Sequence, residues 1–281
     1  MLIAAICFAG MNACVRWLGG ELHSFEVVFF RNFFALAWLL PWALRHRQLL
    51  MAIQHRRVYL LRSSIGLCAM YLFFYSLTVL PLADTVAITF TMPLFATAGA
   101  ALFLGERVRL RRWGATALGF VGVLIILQPG ANFNTLTILP LIAALFMAIA
   151  SLMVKWLSRS EDPMAMVFLM TCITSPLSLV PALFVWQWPS LTAWLLLITL
   201  GGLGVLAHWA FTTAYKMADV SLVLPFDYLR LPFTALVAYM LFAEVPTASL
   251  WFGASIIVAA TLYIAHRENK LAQNSNQRWN G

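Results

Sequence analysis

Apolar runs of about 18 residues or more, long enough to cross a bilayer, follow one another along almost the whole chain, separated by short polar connections. A segment of that length folds in lipid as a helix or as part of a closed barrel, because hydrocarbon offers the backbone no hydrogen-bond partner. The runs are continuous rather than alternating, so the chain reads as helical. Composition agrees: 63% of residues are hydrophobic and only 10% charged, too few charges to cover a soluble domain. The expected fold is an all-α membrane protein of ten transmembrane helices, near 1–18, 24–44, 57–80, 83–104, 110–128, 136–157, 163–186, 190–216, 219–243 and 248–266.

The formal net charge of +8 does not point to nucleic acid, because the cations cluster between the apolar runs. Fourteen of the eighteen Lys and Arg residues fall on one side of a ten-helix arrangement. They are Arg45, Arg47, Arg56, Arg57, Arg107, Arg109, Arg111, Arg112, Lys155, Arg159, Lys216, Arg267, Lys270 and Arg278. The positive-inside rule then puts both termini in the cytoplasm of a bacterial inner membrane. Four arginines fall outside the pattern. Arg16 and Arg62 lie near helix ends, where snorkelling to the interface accounts for them. Arg31 and Arg230 lie deeper. The four cysteines, Cys7, Cys14, Cys68 and Cys172, lie in apolar segments without CxxC spacing and read as small apolar side chains.

The chain echoes itself. "VRWL" at 15–18 returns as "VKWL" at 154–157, and "WGA" at 113–115 returns as "FGA" at 252–254, both 139 residues on. Glu106 finds a counterpart in Glu244, and both are expected to cap or pin helix ends. Two units are therefore expected, 1–130 and 136–266, followed by a polar cytoplasmic tail over 267–281. With five spans each, the second unit enters the membrane upside down, an arrangement that marks secondary transporters.

The stretch "LPFDYLRLPF" (224–233) places Asp227 and Arg230 on one helix face between Pro225 and Pro232. Charge at the bilayer centre is a functional candidate by default, and the prolines free backbone carbonyls towards a cavity. Either Arg230 holds an anionic group, or Asp227 a cationic one, or the pair is neutral glue between helices. Arg31 is open between a gate or carboxylate clamp and a structural bond to carbonyls of another helix.

Several stretches resemble the EamA-type branch of the drug/metabolite transporter superfamily: "LHSFEVVFFRNFFALAWLLP" (22–41), "ADTVAITFTMPLFATAGAALFLGE" (83–106) and "LPFDYLRLPFTALVAYMLFAEVP" (224–246). The likeness spans essentially the whole chain and is closest to bacterial S-adenosylmethionine or broad metabolite permeases. It implies inverted five-helix repeats around a cavity lined mainly by helices 1, 3, 4, 6, 8 and 9. Pro93 with Glu106, and Pro225 with Phe226 and Tyr228, match the family's cavity-flanking motifs.

The expected cargo-contacting set is Asn12, Arg31, Tyr71, Tyr75, Thr91, Pro93, Trp209, Phe226, Asp227, Tyr228 and Arg230. His208 and Asp227 are candidates for proton coupling. Tyr71 and Tyr75 also suit bundle packing, and His208 also suits an interior role without proton transfer. "GGLGVLA" (201–207) imitates a dinucleotide fingerprint but lies within an apolar run, where small residues serve close helix packing. No HExxH, GxSxG or Walker A pattern is present, and no cofactor or metal is expected. The expected function is a secondary-active carrier, not an enzyme, moving small amphipathic metabolites (an amino acid, a nucleoside-like compound or S-adenosylmethionine) by alternating access. Its partners would be the metabolite, the lipid bilayer, and a coupling proton or exchanged solute. The alternatives are a membrane-embedded enzyme or a channel built on the Asp227/Arg230 region.

Overall fold

The computed structural model describes residues 1–46, 48, 55–103, 110–127, 135–219, 223–244, 248–249, 251–253, 255–256 and 259. Among these the chain is helical throughout, without a strand. Ten helices are delimited: α1 Leu2–Leu18, α2 Ser24–Arg45, α3 Arg56–Val79, α4 Leu82–Thr89, α5 Met92–Phe103, α6 Leu110–Leu127, α7 Ile138–Leu157, α8 Pro163–Leu183, α9 Leu191–Met217 and α10 Arg230–Phe242. Among the described residues five segments are long and apolar enough to cross a membrane, namely α2, α3, Thr135–Leu157 (a 3-10 turn running into α7), α8 and α9. The outer surface is apolar, with Phe184, Met217, Phe103 and Leu191 at least 80% exposed. Such side chains belong against lipid tails. Glu106, Arg107, Arg109, the tail 267–281 and most of the expected tenth span lie outside the described residues.

Two expected spans are broken. The run 83–104 divides at Phe90 and Thr91 into α4 and α5. The run 219–243 contains a 3-10 turn, Leu224–Leu229, before α10 begins at Arg230. Each α-helix resumes one or two residues before a proline, Pro93 or Pro232, which stand 139 residues apart. A proline lacks the N–H that would bond the carbonyl four residues back, and its ring crowds that carbonyl. The same residue at the same repeat position therefore interrupts both runs.

Packing follows the same exchange. α1 packs on α9 and α10, while α7 packs on α3 and α5, and α2 lies against α8 between them. Swapping the halves maps each pairing onto another. At Gly201 of α9 the neighbouring backbone itself comes close: a Cβ would meet Phe34 Cβ at 2.6 Å and the Ala35 amide nitrogen at 2.8 Å on α2. Small-residue packing is thus the use of the "GGLG" segment. Carboxylates join the halves at one end. Glu26 accepts from the amides of His23 (3.2 Å) and Gln187 (2.6 Å), and Glu21 from that of Ser190 (2.6 Å).

Arg16 is not a snorkelling residue. Its guanidinium donates to the carbonyls of Leu77 (2.9 Å), Thr78 (3.3 Å) and Leu80 (2.9 Å), and faces Glu244 at 3.6 Å. Its repeat counterpart Lys155 donates to the carbonyls of Tyr215 (2.9 Å) and Ala218 (2.7 Å). Each half thus turns a cation from its first helix onto the C-terminal carbonyls of its third, where orphan acceptors and the helix dipole favour positive charge.

Candidate central cavity

α1, α2, α3, α5, α7, α8, α9 and the 3-10 turn before α10 enclose a cavity of about 130 Å³, room for several waters. Counted as spans, its walls include the six implied by the resemblance, with the second and seventh (α2 and α8) added through Arg31, Met170 and Thr174. Much of the wall comes in repeat pairs 139 residues apart: Phe8 with Met147, Met11 with Ala150, Arg31 with Met170, and Ala69 with His208.

Asp227 and Arg230 both line this space while being only 3% and 6% exposed. Arg230 Nη2 lies 3.4 Å from Asp227 Oδ2 and donates to Thr89 Oγ1 at 3.3 Å. Its guanidinium carbon stands 5.5 Å from the Phe8 ring centroid and 5.3 Å from that of Phe90, within the range of cation–π attraction. The 3-10 geometry follows from the prolines and turns both charged residues to the same opening. The second Asp227 oxygen, Oδ1, and Arg230 Nε have no partner among the described residues.

Arg31 enters from α2, 1% exposed, and donates to Asn32 Oδ1 at 2.8 Å. Of the alternatives open for Arg31, a bond to carbonyls of another helix is not found among the described residues; the guanidinium lies over Gly204 of α9. A Cβ at 204 would meet Arg31 Nη2 at 2.8 Å and Nε at 2.9 Å. Arg62, expected to snorkel outwards, points inwards. It lines the cavity and an adjoining cleft with Tyr59, and is 8% exposed. The cavity reaches far enough along α3 to meet it, so depth along the helix misled. His208 is half-buried on the wall, its ring edge-on to Phe8 at 5.5 Å.

Other expected contacts lie away from the cavity wall. Tyr71 packs edge-on against Phe25 at 5.0 Å, and Tyr75 and Trp209 are exposed on the outer surface. Tyr228 is fully buried against Phe90 and the Gly119 backbone of α6. Thr91 bonds the Ile88 carbonyl at 3.0 Å, Pro93 is buried, and Phe226 is half-buried beside the turn. Asn12 is fully buried with both amide atoms unpartnered. Besides Arg62, the sequence reading missed Phe73, Phe74 and Phe211. On α3 the wall residues Ser63, Gly66, Met70, Phe73 and Phe74 recur at helical spacing. Tyr71 and Tyr75 sit about 100° further round, a difference the evenly apolar sequence does not reveal.

A duplicated helical frame, an apolar exterior and an enclosed polar-spotted cavity define a membrane transporter architecture. The profile of the EamA-like transporter family matches residues 1–128 and again 135–265, and the chain belongs to that family. It is 39% identical over 277 residues to the riboflavin transporter of Vibrio cholerae, covering 96% of this chain and 93% of that one. It is 32% identical over 277 residues to the S-adenosylmethionine uptake transporter of Rickettsia felis, covering 98% and 94%. A solved crystal structure at 19% identity superposes with a TM-score of 0.75 over 94% of this chain and 96% of its own, a likeness of fold.

Proposed function

We propose that this protein is a secondary-active carrier of small amphipathic organic metabolites, working by alternating access between two inverted five-helix halves. The carrying observation is the cavity itself, walled by both halves and bordered by two helices broken at corresponding positions. Discontinuous helices at a repeat interface are where transporters of this design hold cargo. The breaks supply backbone hinges, and the packing pairs exchange under a swap of halves, which supports rocking of one unit on the other. Asp227, Arg230, Arg31, Arg62 and His208 are among the polar groups that meet cargo. Relatives named for riboflavin and S-adenosylmethionine favour an organic body with both a ring system and polar groups. The bacterial inner membrane, with both termini cytoplasmic, completes the reading.

Counterflow in proteoliposomes tests it. Vesicles preloaded with unlabelled riboflavin or S-adenosylmethionine take up the labelled compound faster than empty vesicles if the protein is a carrier. Uptake indifferent to preloading identifies a channel, and a chemically altered product identifies an enzyme. Either overturns the proposal.

A further inference from the structure

Three guanidinium groups, those of Arg31, Arg62 and Arg230, face the cavity, and Asp227 is the one carboxylate among its described lining residues. Asp227 is engaged with Arg230. Arg31 donates to a neutral amide, and Arg62 forms no hydrogen bond or ion pair among the described residues. Both keep an unpartnered Nε despite being more than nine-tenths buried. Glu161, whose charge reaches Tyr59 in the adjoining cleft, stands 3.5 Å from His55. The cavity therefore carries two cations that its own wall does not balance.

Unbalanced charge removed from water is costly, and an anion of matching geometry relieves the cost. The planar fork of arginine suits oxyanions, which it binds through paired N–H donors. Around these forks the wall is apolar and adaptable: Phe8, Phe73, Phe74 and Phe211, with Met11 and Met147. Rings of that kind accept the face or edge of a flat body, and thioethers fill the remaining gaps.

We infer that the cavity binds an amphipathic dianion, a phosphate monoester on a flat apolar body, with the phosphate between Arg31 and Arg62 and the body against the phenylalanine rings. A phosphate monoester carries about −1.5 to −2 at neutral pH, which balances the two cations. A single carboxylate leaves one cation over, and a neutral cargo leaves both. As cargo chemistry this rests on the carrier reading above; as binding chemistry it stands apart from it.

Matched pairs test the inference on the purified full-length protein. Riboflavin is compared with riboflavin 5′-phosphate, adenosine with adenosine 5′-monophosphate, and 3-phenylpropanol with 3-phenylpropionate. Binding is read by thermal stabilisation and, for the flavins, by fluorescence quenching. The phosphate member of each of the first two pairs is expected to bind at least about tenfold tighter than its parent, the scale of one charge-assisted hydrogen bond. The carboxylate should gain less. Arg62→Met should erase the preference without lowering the melting temperature of the unliganded protein, and Arg62→Lys should keep part of it. Equal binding within the two phosphate pairs, no binding by the phosphates, a carboxylate gain as large as the phosphate gain, or a preference that survives Arg62→Met overturns the inference. Trans-stimulated counterflow of neutral riboflavin with no phosphate preference would sink the inference and leave the carrier standing. Phosphate binding without counterflow would do the reverse.

Discussion

At positions 16, 93 and 106 the first half of the chain has Arg, Pro and Glu, and the second half answers with Lys155, Pro232 and Glu244. At positions 31, 62 and 69 it has Arg, Arg and Ala, where the second half has Met170, Gly201 and His208. Of the first set, Arg16 and Lys155 hold helix ends and Pro93 and Pro232 interrupt helices; the second faces the cavity or lies in the interface behind it. Duplication thus supplies a shared frame, while the chemistry of the cavity differs between halves. One wall is cationic, and the other, among the described residues, carries no charge beyond the self-balanced Asp227–Arg230 pair, with Ser151, Thr174 and His208 as its remaining polar groups.

The comparison breaks most readily at that pair. Asp227→Asn leaves Arg230 buried without its counter-charge and should cost about 3–5 kcal/mol. Adding Arg230→Met should recover most of that loss. Thermal unfolding in detergent reads both, and a single variant as stable as the parent would mean that water in the cavity already compensates the charge. Next comes the frame. Gly201→Ala drives a methyl into the α2 backbone and should cost about 1–3 kcal/mol as overpacking. The same substitution at Gly114, whose Cβ position has nothing within 4 Å, should cost little. Equal losses would deny any special closeness to α2 and α9.

A finer test concerns Gly204. Gly204→Ala meets only the movable end of Arg31, so stability should hold within about 0.5 kcal/mol, as for mild substitutions. Anion binding should weaken, because the guanidinium must shift. A loss of folding with anion binding intact would contradict the placement of Arg31. The terminal cations should show effects of similarly small size. Arg16→Gln and Lys155→Gln should each cost about 0.3–1 kcal/mol, the scale of a charge at a helix C-terminus. A large loss from one and none from the other would end their equivalence.

Much of the frame was legible in one dimension, because membrane insertion writes it as run length and duplication writes it as echoes. The Asp227–Arg230 pair was legible for a related reason: charge between prolines in an apolar run stands out. Arg62 was not, because a residue seven positions into α3 looks interfacial until the inward reach of the cavity is known. Tyr71 and Tyr75 failed differently. Where both faces of a helix are apolar, hydropathy carries no sign of which face looks inwards, and only packing against α7 and α8 decides it. Arg31 was recognised as deep, but its support is the absence of a side chain on α9, which no charge pattern announces.

In the proposed carrier, the hydrogen at Gly204 acts from behind the cargo. A guanidinium that rests on bare backbone is aimed by the helix at its back, so a single methyl added there would turn the donor fork without altering any residue that cargo touches. Selectivity in such a protein can drift through positions that never meet the transported molecule, and a comparison restricted to wall residues would miss the change.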